Sequence, residues 1–112
     1  MSLADKIKES RKITVNIGDK VFTGTRATPE QFGRYYASDI HQAEVARLHI
    51  TGWDGVTEAD LYEDGGNSKV PFDKEIFDLV IGDHPEWYAK IFQEVSARAV
   101  EIFNGKVENE KK

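Results

Sequence analysis

From Ile13 the chain alternates strictly, with Ile13, Val15 and Ile17 apolar and Thr14 and Asn16 polar, which is the period of a half-buried strand. Gly18-Asp19 supplies a two-residue turn, and a second strand is expected from Lys20 to about Arg26. That loop sets a register: Ile17 faces Lys20, Val15 faces Phe22 and Ile13 faces Gly24. One face of the hairpin is then apolar, led by Ile13, Val15 and Phe22. A two-stranded ribbon is not stable alone, so it must lie on helices. Ahead of it, Asp5, Lys6, Lys8, Glu9, Arg11 and Lys12 surround only Leu3 and Ile7, which predicts an arm or a short frayed helix.

The period changes at Thr28-Pro29-Glu30-Gln31. The Thr28 hydroxyl can accept from an orphan amide, Pro29 has no amide to lose, and Gln31 can reach back to close a capping box. The spacing predicts a helix from there to about His49. Its main face collects Phe32, Tyr35, Tyr36, Ile40, Ala43, Ala46 and Ile50, Glu30 can pair with Arg34, and Val45 and Leu48 fall on the far side.

Gly52 ends that segment, and Trp53 to Lys69 reads as a polar, acidic loop, with a weak short helical turn within Val56 to Tyr62. Pro71-Phe72-Asp73 opens a short helix capped by Asp73, with Ile76, Phe77, Val80 and Ile81 as its apolar side and Gly82 closing it. Asp83-His84-Pro85-Glu86 predicts a further start, with Asp83 at the cap. The last helix carries Trp87, Tyr88, Ile91, Phe92, Val95, Ala99, Ile102 and Phe103 on a wide stripe, with Glu86–Lys90 and Glu94–Arg98 as exposed pairs. Burying such side chains stabilises by roughly 1.5 to 3 kcal/mol apiece, which makes this helix the expected spine of the core. Asn104-Gly105 is the expected stop. The resulting expectation is an α+β fold, an amino-terminal β-hairpin packed on a small bundle of about three helices. Residues 1–12 are expected as a mobile arm, 13–104 as a single domain and 105–112 as a flexible charged tail.

Composition narrows the function classes. The chain has 112 residues, a single-domain length, and a globular balance of 39% hydrophobic and 31% charged residues. A net charge of -5 argues against nucleic-acid binding, because a phosphate backbone rewards a basic face. The absence of Cys removes disulfides, thiolate metal sites and a cysteine nucleophile. No apolar run approaches the roughly 20 residues of a membrane helix, and the charged start is unlike a signal peptide, so a cytoplasmic protein is expected.

Candidate chemistry is sparse. Asp54, Glu58, Asp60, Glu63 and Asp64 form an acidic stretch, but Val56 stands where a calcium loop needs a ligand and no closing Glu follows. His41, His49 and His84 have no metal-ligand spacing among them, and neither a GxSxG elbow nor a phosphate loop is present. No cofactor and no catalytic residue are expected. The aromatic residues carry more information. Trp53, Trp87 and Tyr88, with Val45 and Leu48, are candidates for a protein-binding patch, against the plainer reading that all of them belong to the core or its lid.

The succession Gly52-Trp53-Asp54-Gly55-Val56, an acidic glycine-containing loop, Pro71-Phe72 opening a short helix, and the corner Asp83-His84-Pro85 resembles small tail assembly chaperones of long-tailed bacteriophages and prophages. The strand pair Ile13 to Phe22 and the helix entry Thr28-Pro29-Glu30-Gln31 fit the same pattern, so the resemblance covers about Ile13 to Phe103. It implies a non-enzymatic protein that coats the hydrophobic tape measure protein and recruits tail tube subunits, with possible self-association. A structural or adaptor subunit of a phage tail is the alternative. A small enzyme with a pocket lined by two or more of Asp54, Glu58, Asp60 and Glu63 is the third reading.

Overall fold

The computed structural model describes residues 2–110, with side chains through Gly105. The fold is α+β, a three-stranded antiparallel sheet with six α-helices among the described residues. Helix α1 (Leu3–Ser10) opens on a capping box in which Ser2 Oγ accepts from the Asp5 N–H. It leads straight into β1 (Lys12–Ile17) and β2 (Lys20–Thr25), whose register is the expected one: Val15 opposite Phe22 and Ile13 opposite Gly24. Gly18 takes φ +61° at the first position of the turn, a left-handed geometry that suits glycine.

The expected long helix from Thr28 to His49 is in fact two. Helix α2 (Pro29–Ser38) starts on the Thr28–Gln31 capping box, as its sequence predicts, and stops at Asp39, which is left-handed at φ 52°. The Asp39 N–H donates to the Tyr36 carbonyl and the Ile40 N–H to that of Tyr35, closing the helix as a Schellman motif. Asp tolerates this conformation better than most residues, so a stop formed without glycine or proline. Helix α3 (Gln42–His49) restarts with His41 Nδ1 accepting from the Ala43 N–H.

A second correction follows at once. Ile50 does not end a helix but begins β3 (Ile50–Asp54), which pairs antiparallel with β2 and places Phe22 opposite Trp53. The segment expected to be loop from Trp53 onward thus begins as a strand. Its free backbone groups are met by the open edge of β2, a partner invisible to local periodicity. The register slips between Thr23 and Gly24, where β2 runs so close to the His49–Ile50 backbone that a Cβ on Gly24 would stand 2.1 Å from the His49 carbonyl oxygen.

Beyond β3 a short α4 (Glu58–Leu61) forms within the expected span, and α5 (Lys74–Val80) is capped by Asp73, whose carboxylate accepts from the Ile76 N–H. A 3-10 turn, Ile81–Asp83, occupies the corner. The final helix α6 (Pro85–Glu110) therefore begins one residue later than expected: the His84 carbonyl, not Asp83, receives its first N–H groups, from Trp87 and Tyr88. The helix also runs through Asn104-Gly105. Both residues only permit a stop, Gly105 does not take a positive φ, and no proline follows to force one. The segment expected as a tail from residue 105 is thus helical to Glu110, while Lys111 and Lys112 lie outside the described residues.

The core joins all layers. Val15 and Phe22 from the sheet meet Val45, Ala46 and Ile50, then Phe77 and Ile81, on a spine of Trp87, Ile91 and Val95. Phe22 sits at its centre, with ring centroids 5.1 Å from Trp87 and 6.4 Å from both Trp53 and Phe77. The predicted pair Glu30–Arg34 forms at 3.1 Å, whereas Lys90 pairs with Glu94 and Arg98 with Glu101 in place of the pairs expected on the last helix. Among the described residues no helix is long and apolar enough to cross a membrane.

Candidate protein-binding groove

The stripe on α6 is wider than the core can cover. Trp87, Ile91, Val95 and Ala99 are buried, but the adjoining row of Tyr88, Phe92, Val100 and Phe103 is only partly covered, and α2 lies beside it. A groove results. Its larger part, about 830 Å³, is lined by Phe32, Tyr35, Tyr36, Ile40, Tyr88 and Phe92, with Asp39, His41 and Gln42 at the helix break. Its smaller, almost wholly apolar part, about 280 Å³, is bounded by Phe32, Gly33, Tyr36, Val100, Phe103 and Asn104. Phe32 and Tyr36 belong to both, so the two parts form one run. Tyr36 is 83% exposed, and the Phe32 and Phe103 rings lie 6.2 Å apart.

The break at Asp39 shapes this site. It turns the chain so that His41 meets Tyr88 edge-to-face at 5.1 Å, and it sets a carboxylate at the end of α2. No Lys or Arg among the described residues lines either part of the groove. Beneath it, the Tyr35 hydroxyl lies 2.8 Å from His49 Nε2, and His49 Nδ1 lies 3.0 Å from the Thr25 carbonyl. A carbonyl can only accept, so Nδ1 carries the proton and Nε2 accepts from Tyr35. Burial lowers the pKa of His49, opposed by the Thr25 carbonyl, and burial raises that of Tyr35.

Of the five residues expected in a binding patch, only Tyr88 lines the groove. Val45 and Trp87 are corrections: both are buried in the core and offer no surface. Val45 stands opposite the predicted face only if the helix is continuous. Once the chain breaks at Asp39, α3 turns its Val45 side inward. Trp53 is half-buried, packed on Phe22, Phe72 and Phe77, with its indole N–H donating to the Val70 carbonyl at 2.7 Å, so it serves as a lid. Leu48 is 57% exposed on α3 and lies apart from the groove. The residues that do form it, Phe32, Tyr36, Phe92 and Phe103, were visible as apolar positions. Their signal was surplus: two helices with more aromatic width than one small core absorbs.

Within the acidic stretch, Asp60 is engaged in structure. Asp60 accepts from the Thr57 N–H at 2.8 Å and from the Thr57 hydroxyl at 3.0 Å, and it pairs with Lys20 at 3.2 Å. Burial would raise its pKa, but the Thr57 bonds and Lys20 outweigh that and hold it below the ordinary value. No three His, Asp or Glu side chains among the described residues gather as a metal ligand set. His84 stacks on Trp87 with centroids 3.7 Å apart, His41 caps α3 and His49 is bound within the core. Compared with models of protein families, with curated proteins and with solved structures, the chain matches none of them.

Proposed function

We propose that this chain is a phage or prophage tail assembly chaperone that shelters apolar helical segments of a tape measure protein in the α2–α6 groove during tail morphogenesis, and brings tail tube subunits to it. The observation that carries the reading is the groove itself, an aromatic run on which Tyr36 is 83% exposed. Exposed aromatic side chains ringed by polar groups are the usual anchors of protein recognition, and a helix laid into an apolar groove is a recurrent mode of it. The net charge of -5 suits a carrier that must keep an apolar client dispersed. No catalytic role is assigned to any residue.

The test is co-expression with a tape measure protein encoded beside the chain, followed by purification of the pair. Tyr36→Asp and Phe103→Asp are expected to abolish co-purification, while thermal unfolding stays close to that of the parent because neither side chain belongs to the buried core cluster. Undiminished capture by both variants would rule the groove out as the client site. Recovery of the chain from purified particles would favour the structural-subunit alternative.

A further inference from the structure

Where α1 hands over to β1, and β2 to α2, a cleft of about 190 Å³ is lined by Lys8, Arg11, Thr25, Arg26, Thr28 and Gln31. Three of these six side chains are cations. The Arg26 N–H donates to the Arg11 carbonyl at 2.8 Å, which ties the two junctions together and sets the arginines side by side. Lys8 lies one turn up α1 from Arg11. No carboxylate lines the cleft, and among the described residues none of the three cations is paired with one. The acids nearest in sequence are engaged elsewhere. Asp5 accepts from the Ser2 N–H in the cap of α1, Glu9 pairs with Lys12 at 2.8 Å, and Glu30 pairs with Arg34 at 3.1 Å. Like charges gathered at one depression repel one another, and they do so here in a chain whose net charge is -5. An anion between them would relieve that repulsion.

We propose that this cleft binds a phosphate-type oxyanion, either free phosphate or the terminal group of a phosphomonoester. The cations favour a tetrahedral dianion over a lone carboxylate. Arg11 and Arg26 each carry a planar guanidinium fork that matches a pair of phosphate oxygens, and Lys8 adds a point charge. A phosphoryl group brings roughly -1.5 to -2 at neutral pH, which nearly balances the cleft, whereas one carboxylate leaves most of its charge unmet. The Thr28 hydroxyl oxygen already accepts from the Gln31 N–H at 3.1 Å, so its proton is free to donate to the ligand. The amino terminus of α2 contributes less, because Pro29 has no N–H and the capping box uses those of Thr28 and Gln31. The cations therefore carry the site. A bound anion also bridges α1, none of whose residues is buried, to the start of α2. The cleft shares no residue with the α2–α6 groove, so the two readings are independent.

The test titrates inorganic phosphate into the full chain, against sodium chloride of matched ionic strength, and follows backbone amide shifts and thermal unfolding. Saturable shifts confined to the segments around Lys8–Lys12 and Gly24–Gln31 are expected, with a Tm that rises with phosphate. Arg26→Gln and the double variant Lys8→Gln/Arg11→Gln should each weaken binding roughly tenfold or more. Lys8 and Arg11 are exposed, so the double variant tests the site even where half-buried Arg26 proves necessary for folding. Phenyl phosphate separates the two sources of the ligand. Binding as tight as that of phosphate, or tighter, assigns the cleft to a monoester, and binding of phosphate alone assigns it to the free ion. Shifts no larger than in the chloride control, shifts spread over basic residues elsewhere, or binding undiminished in a folded variant of either kind would overturn the proposal.

Discussion

The Tyr35 hydroxyl donates to Nε2 of His49 across 2.8 Å, joining the floor of the groove to the end of β2, where the His49 Nδ1–H meets the Thr25 carbonyl. With the imidazole neutral, Nδ1–H donates and Nε2 accepts; a second proton would make the Tyr35 hydroxyl turn from donor to acceptor and would bring a positive charge into a buried site.

The folded pKa of His49 is consequently depressed below its ordinary 6.5, by burial chiefly. The unfolded chain binds the proton first, so as pH falls below about 6.5 stability declines, and it keeps declining until the folded pKa is reached. Urea midpoints measured between about pH 7 and pH 5 should fall in the parent and fall less steeply in His49→Gln. Nuclear magnetic resonance of the His49 ring protons should show a titration midpoint below 6.5.

Gly24 and Gly33 should respond oppositely to alanine. A Cβ on Gly24 would lie 2.1 Å from the His49 carbonyl oxygen and 2.9 Å from Ile50 Cα, both backbone atoms that cannot rotate away. Gly24→Ala is therefore expected to cost roughly 3 kcal/mol. At Gly33, inside α2, a Cβ meets nothing within 4 Å, and Gly33→Ala should stabilise by about 0.5 to 1 kcal/mol. Thermal melts of the pair check both signs.

Val45 and Leu48 are three residues apart on α3, yet their truncations should differ widely. Val45 is fully buried, so Val45→Ala is expected to destabilise by about 2 kcal/mol through lost burial and a residual cavity. Leu48→Ala should stay within about 0.5 kcal/mol of the parent. Equal losses in denaturant unfolding would contradict this division between core and surface.

Asp60 links the hairpin to the acidic segment. Because its folded pKa lies below 3.8, its contribution is present above that value and is lost as pH falls through the folded pKa. Asp60→Asn should cost about 1 kcal/mol near neutral pH, and the gap between variant and parent should close in acid below about pH 3.8. Lys20 has a raised pKa, for although burial opposes its charge, Asp19 and Asp60 prevail; its share of the pair fades only when pH climbs beyond 10.5.

The hairpin register, the Thr28 and Asp73 caps and the α6 spine were all readable along the chain, because each depends on residues within a few positions of one another. The groove was half legible. Its aromatic positions stood out, but the patch assembled from Val45, Leu48, Trp53, Trp87 and Tyr88 drew on residues that the fold sends to different places, two of them into the core. The break at Asp39 accounts for much of the difference. A left-handed aspartate costs little, and nothing local distinguishes it from a helical one until the packing of α3 on α6 favours a turn.

By itself the amino-acid sequence determined an α+β chain with a paired first ribbon, capped helices and an apolar surplus on its last helix, since alternation, helical spacing and side-chain capping act over short distances. Tertiary structure alone decided that Ile50–Asp54 joins the sheet, that Val45 turns inward, and that Tyr36 and Phe103 are left beside an open channel. A strand edge and a shared core are filled by whichever segments reach them, and that competition is settled between residues far apart in the chain.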